Sequence, residues 1–139
     1  MNSRLFFTTF ITYQRAPLFR NPDRAHLLTD VLHDCIAKSR FELSAHVIMP
    51  DHIHALVAPA PDVSVEKAVQ FIKGGFSFRL KREHQWKGEV WQQSFTSHRI
   101  RDEADLQNHI AYIHQNPVRA RLTPTASEYP FSSAYHPRK

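Results

Sequence analysis

Two histidines, His52 and His54, flank Ile53 in the run HIHALVA. Side chains alternate faces along a strand, so both imidazoles project from one face while Ile53 turns to the other. Two imidazoles held side by side can chelate one metal ion. The plainer alternative is a pair of surface histidines on a sheet, since so short a motif recurs by chance. Much later in the chain, Tyr112 and Asn116 stand four residues apart, which places a phenol and an amide oxygen on one helical face, with His109 one turn earlier. Taken alone, Tyr112 reads far more readily as a half-buried aromatic of an amphipathic helix. Neither motif carries a function by itself.

The elements that must position these groups follow from hydrophobic periodicity. The β-branched and aromatic stretch from Leu5 to Tyr13 reads as a strand. Asn21 or Asp23 caps a helix whose apolar positions Leu27, Leu28, Val31, Leu32 and Ile36 recur at helical spacing up to about Ser39. Phe41 to Met49 and His52 to Ala58 form an antiparallel hairpin about Pro50 and Asp51. Ser64 caps a second helix carrying Val65, Ala68, Val69, Ile72, Phe76 and Leu80, in which Gly74 and Gly75 allow a break. The run VWQQSF after Gly88 suggests a fourth strand. Asp102 opens a third helix bearing Leu106, Ile110 and Ile113, which Pro117 stops or distorts. This order predicts an α+β fold: a ferredoxin-like antiparallel sheet with helices packed on one face. Residues 1–139 read as a single domain, with 123–139 an extended C-terminal tail.

Hydrophobic residues at 42% and charged residues at 22% suit a globular chain and exclude a disordered or fibrous one. Cys35 is the lone cysteine, so no internal disulfide is available, and the expected location is the cytoplasm. The N-terminal stretch has neither a small-residue cleavage site nor an apolar run long enough to span a bilayer, so no membrane association is expected. Lys and Arg number 18 against 13 Asp and Glu, a net charge of +5, which favours polyanionic partners without naming one.

Several ordered motifs narrow the choice. MPDHIHALVAP, WQQSF, YIHQNPVRA and YPFSSAY resemble the IS200-like Y1 transposases, and within them are most similar to the REP-associated tyrosine transposases. The similarity runs through most of the chain. It implies an HUH endonuclease fold, in which His52 and His54 about hydrophobic Ile53 bind Mg²⁺ or Mn²⁺ and Tyr112 attacks single-stranded or hairpin DNA. A polar residue one turn after the tyrosine completes the metal site in related enzymes, and Asn116 occupies that place. The implied activity is single-stranded DNA cleavage and strand transfer through a 5′-phosphotyrosine, on REP-like hairpins. One departure stands out: relatives commonly carry glycine after the Arg-Ala of NPVRA, and this chain has Arg121, which reaches a left-handed helix end less cheaply.

Phosphodiester chemistry requires charge neutralisation and in-line geometry, and a divalent ion provides both. By ligand preference, two imidazoles suit Zn²⁺ or Mn²⁺ better than Mg²⁺. Lys67, Lys73, Arg79, Lys81, Arg82, Arg99, Arg101 and Arg119 are the candidate DNA-phosphate contacts. A domesticated nucleic-acid-binding module without cleavage activity is the alternative, although it has no reason to keep His52, His54 and Tyr112 together. A small zinc hydrolase is disfavoured, because Ala55, Leu56 and Val57 follow the pair instead of further ligands. Some relatives build each active site from two chains; for this one a monomer is favoured over a homodimer.

Overall fold

The β-branched and aromatic run FFTTFI forms β1 (Phe6–Ile11) in a computed structural model that describes residues 4–137. Residues 138 and 139 of the expected tail lie outside the described part. Two short 3-10 turns then lead into α1 (Pro22–Ala37), where the Asn21 side chain accepts the Asp23 amide at 2.9 Å. The hairpin follows as β2 (Phe41–Met49) and β3 (His52–Pro59). Ser64 accepts the Lys67 amide at the start of α2 (Val65–His84). This helix runs unbroken through Gly74 and Gly75. A Cβ at Gly75 would stand 3.1 Å from Val31 Cγ1, so the missing side chain lets α1 and α2 pack closely instead of interrupting the helix.

The fourth strand is displaced from its expected place: β4 is Thr96–Arg99, the polar run TSHR, and VWQQSF makes only a single bridge, between Trp91 and Thr12. The reason is packing. The indole of Trp91 sits edge-on or tilted against Phe10, Phe19 and Phe76, 5.3 to 5.9 Å away between ring centres, and its Nε1 donates to the Lys73 carbonyl at 3.1 Å. The apolar run therefore plugs the core, and the exposed residues that follow it supply the ladder.

Strand order is β2-β3-β1-β4, antiparallel throughout, as in the ferredoxin-like arrangement. Ile53, Ala55 and Val57 of β3 join Phe10, the α1 residues Leu28, Val31 and Leu32, and the α2 residues Ile72, Phe76 and Leu80 in one core. Leu56 and Ala58 point the other way and pack with Ala45, Val47, Met49, Ile100 and Ile113. The α+β class and antiparallel sheet stand as expected, but the helices do not share one face: α1 and α2 cover one side, and α3 (Glu103–Arg119) covers the other. Every residue of β3 after His52 is buried, and a strand apolar on both faces needs a cover on each.

Asp102 caps α3 by accepting the Asp105 amide at 2.8 Å, and Pro117 lies inside the last turn before the helix ends at Arg119. Arg121 does take the left-handed conformation, φ 61°. The tail makes one 3-10 turn, Ala126–Glu128, and lies along the outer edge of β2. There the Ile48 amide donates to the Phe131 carbonyl, the Ser133 amide donates to the His46 carbonyl, and Tyr129 Oη donates to the Ile48 carbonyl at 2.6 Å. An otherwise open strand edge is thereby closed. Among the described residues, no helix is long and apolar enough to cross a membrane.

Candidate active site

Alternation along β3 puts His52 and His54 on the face covered by α3. Pairing fixes their neighbours: His54 lies opposite Thr9 of β1 and Val47 of β2, and His52 opposite Ile11 and Met49. The two imidazole rings are 4.8 Å apart between centres. From above, α3 buries Ile113 in the sheet and leaves Tyr112 beside it, 37% exposed. The ring of Tyr112 stands 5.4 Å from that of His54, at an interplanar angle of 67°. Phe7 of β1 is wedged beneath, stacked on His54 at 5.2 Å and in contact with His109 at 4.7 Å and Tyr112 at 6.1 Å. An open cleft of about 390 Å³ is lined by Phe7, Thr9, His54, Asn108, His109 and Tyr112. A larger hollow of about 620 Å³ near Arg4 and Glu42 lies away from these groups and holds no such constellation.

Each imidazole is oriented through Nδ1. His52 Nδ1 lies 2.7 Å from Asp51 Oδ1, and His54 Nδ1 lies 2.7 Å from Thr9 Oγ1. A carboxylate only accepts, so the His52 nitrogen facing it carries the proton, and in the neutral ring Nε2 is the acceptor. Burial of Asp51 favours its neutral form, but the hydrogen bonds from His52 and Arg15 outweigh this and hold its carboxyl below the usual range. Burial, with His52 adjacent, pushes His54 down to about 3, so this ring is neutral, the form that binds metal. Paired imidazoles steered by hydrogen bonds to their Nδ1 atoms are a donor set that Zn²⁺ or Mn²⁺ accepts, so the residues present fit a divalent metal.

The structure thus brings Tyr112, His54 and His52 together. Asn116 is half-buried one turn beyond Tyr112 on α3. Arg119 lies with its guanidinium 4.9 Å from the Tyr112 ring centre. Arg99 and Arg101 lie at the end of β4 and just after it, with Arg101 close to Asp105. The remaining candidate cations are all on α2, across the sheet from Tyr112. Of these, Lys73 Nζ donates to the Gln92 carbonyl at 2.8 Å, and Arg79 and Arg82 both pair with Glu83. Lys67 lies over Phe71, and Lys81 is exposed. Sequence reasoning did not single out Thr9, Phe7 or Asp51. Only Asp51 left a local signal, as the carboxylate directly preceding the histidine pair.

The family model described as IS200-like transposase matches residues 6–116, a span that includes both histidines, Tyr112 and Asn116. The chain belongs to the IS200-like transposase family. Among its relatives, this IS200-like chain is 34% identical over 103 residues to a REP-associated tyrosine transposase of Haemophilus influenzae, covering 67% of this chain and 58% of that protein. It is 30% identical over 118 residues to the REP-associated tyrosine transposase of Escherichia coli, covering 79% of this chain and 68% of the relative. The chain therefore spans somewhat over half the length of the first of these curated relatives. A solved REP-associated tyrosine transposase bound to a REP hairpin superposes with a TM-score of 0.78 at 25% identity, over 96% of this chain and 78% of that one. A transposase structure from Deinococcus radiodurans shares the fold, with a TM-score of 0.59 at 21% identity over 84% of this chain and 89% of that one.

Proposed function

We propose that this chain is a single-stranded DNA endonuclease and strand transferase that acts on hairpin DNA through a covalent tyrosine intermediate. The observation that carries this reading is the 5.4 Å approach of the Tyr112 ring to His54, with His52 directly beside it. Membership of the family supports it, as does the REP hairpin bound by the structural relative.

Nε2 of His52 and His54, with Asn116 beyond them, would hold Mg²⁺ or Mn²⁺, which when bound polarises the scissile phosphate and steadies the departing oxygen. Tyr112 Oη attacks the phosphorus, the bond to the 3′ oxygen breaks, and DNA is left joined through its 5′ phosphate to the enzyme with a free 3′-OH. Because the ester bond is exchanged and not hydrolysed, a second 3′-OH can reverse the step on another strand without an external energy source. Arg119, stacked at the tyrosine, meets a non-bridging phosphate oxygen beside the attacking phenol. Arg99 and Arg101 extend that positive rim, and the α2 cations, of which Lys67 and Lys81 are the least committed to internal partners, contact more distant phosphates. A single copy of the chain holds all three principal groups, which supports a monomer as the acting unit.

The test is incubation with single-stranded hairpin DNA and Mn²⁺. The native chain forms a denaturation-resistant protein–DNA adduct and Tyr112→Phe forms none. An equal adduct yield from the Phe variant removes Tyr112 as nucleophile.

A further inference from the structure

A second group of metal-ligating side chains lies on the same face of the sheet, separated from the His52–His54 pair by the ring of Phe7. His98 of β4, Asp105 in the first turn of α3 and His109 one turn later each offer a ligand atom, and these atoms lie within 4.8 Å of one another. His98 Nε2 is 3.0 Å from Asp105 Oδ2, His109 Nδ1 is 3.3 Å from Asp105 Oδ1, and the two imidazoles stack at 5.0 Å between centres. The cluster is built into the fold: Asp105 is 7% exposed and held by the Arg101 amide at 3.0 Å, and His109 Nδ1 lies 2.8 Å from the Asp105 carbonyl. A carbonyl can only accept, so in the neutral ring Nδ1 of His109 carries the proton, which the 3.3 Å contact also turns toward Asp105 Oδ1, and Nε2 is the nitrogen left for a metal. This backbone hydrogen bond is the kind that commonly orients a ligating histidine. His98, with its side chain 44% exposed, leaves the cluster open to solvent.

We propose that His98, Asp105 and His109 form a second metal site that takes a divalent transition ion of the Zn²⁺ class and ties β4 to the helix carrying Tyr112. Two imidazoles and one carboxylate are a donor set that Zn²⁺ and Co²⁺ accept readily, with water completing the shell. Mg²⁺ prefers oxygen donors and gains less. Ligand atoms around Zn²⁺ at ordinary bond lengths sit about 3.3 Å apart. The ligand atoms, within 4.8 Å of one another, must draw closer to reach it, and the 44% exposed side chain of His98 is the one with room to turn. The competing cation is Arg101, whose Nε lies 3.5 Å from Asp105 Oδ2; its side chain is 75% exposed and swings into water as the ion enters. The bound ion would stiffen the first turns of α3, one turn ahead of Tyr112, and its binding is independent of the cleavage chemistry proposed above.

Co²⁺ titration followed by visible absorption tests the site, using a His52→Ala/His54→Ala background in which the first pair cannot bind. The expected result is one equivalent of Co²⁺ bound with ligand-field bands in the visible, a raised melting temperature with Zn²⁺, and more than about tenfold weaker binding on adding His98→Ala. Since His98 lies at the surface, that change leaves the core intact, and circular dichroism verifies the fold. Absence of Co²⁺ binding in the folded double variant overturns the proposal, as does binding that His98→Ala and Asp105→Asn both leave unchanged. Adduct formation is measured separately on the chain with its first pair intact. A failure there with Co²⁺ binding preserved would strike the tyrosine chemistry alone.

Discussion

The hydroxyl of Thr9 lies 2.7 Å from Nδ1 of His54, across the β1–β3 pairing in which the two residues face each other. This contact orients a buried imidazole, because with Nδ1 engaged Nε2 is the nitrogen left for another partner. Asp51 does the same for His52 from the adjoining turn.

Removing the hydroxyl while keeping the shape isolates this role. Thr9→Val is expected to fold normally and to lose about 1 kcal/mol of stability, the net worth of an ordinary hydrogen bond. Its Mn²⁺ affinity falls on the order of 10–100-fold, the usual cost of losing such an orienting partner. Calorimetric titration with Mn²⁺ measures this, and unchanged affinity would show that the ring is held by Phe7 stacking alone.

Arg119 stands over the Tyr112 ring at 4.9 Å, where the proposed cleavage would bring a phosphate. Arg119→Gln is expected to weaken hairpin DNA binding at any sequence and to reduce the slope of log affinity against log salt by about one. Fluorescence anisotropy across a salt series reads the slope. An unaltered slope means that Arg119 makes no phosphate contact.

Much of the architecture was readable because its signals are local. The β2–β3 hairpin turns at Pro50 and Asp51, and the caps at Asn21, Ser64 and Asp102 sit where helix-start chemistry puts them. Non-local facts were not readable. Which side α3 covers depends on the second apolar face made by Val47, Met49 and Leu56, and a strand buried on both faces gives no alternation to read. β4 was missed because TSHR is a polar edge strand held by backbone pairing to β1, while the attractive run around Trp91 serves the core. His52, His54 and Tyr112 were legible as chemistry. Thr9 and Phe7 were not, since their meeting with His54 and Tyr112 follows from a strand register spanning distant parts of the chain.

Asp105 ties acid stability to α3. The Arg101 amide and then His98 hold its carboxyl down to about 2. A depressed folded value means the ionised form is favoured by folding, so the stabilisation is complete above the unfolded carboxylate value of about 3.9 and is lost as pH falls toward about 2. Asp105→Asn is expected to melt below the native chain at pH 7, with the gap closing between about pH 4 and pH 2. A gap that persists unchanged at pH 2 would assign the effect to packing.

Arg121 adopts φ 61° after the end of α3, a conformation that costs a side-chain-bearing residue about 1–2 kcal/mol. Glycine relieves that strain at some cost in unfolded-chain entropy, so Arg121→Gly is expected to stabilise by about 0.5–1 kcal/mol. Urea unfolding checks the sign, and a loss of stability would mean that the arginine side chain has contacts outweighing the strain.

The most direct measurement is the site of DNA attachment. After reaction with single-stranded hairpin DNA and Mn²⁺, the adduct is digested with protease and nuclease, and the modified peptide is sequenced by mass spectrometry. The expected result is a nucleotide carried through a phosphodiester on Tyr112. Attachment at Tyr13, Tyr129 or Tyr135, with Tyr112 unmodified, would contradict the assignment of the phenol beside His54 as the nucleophile.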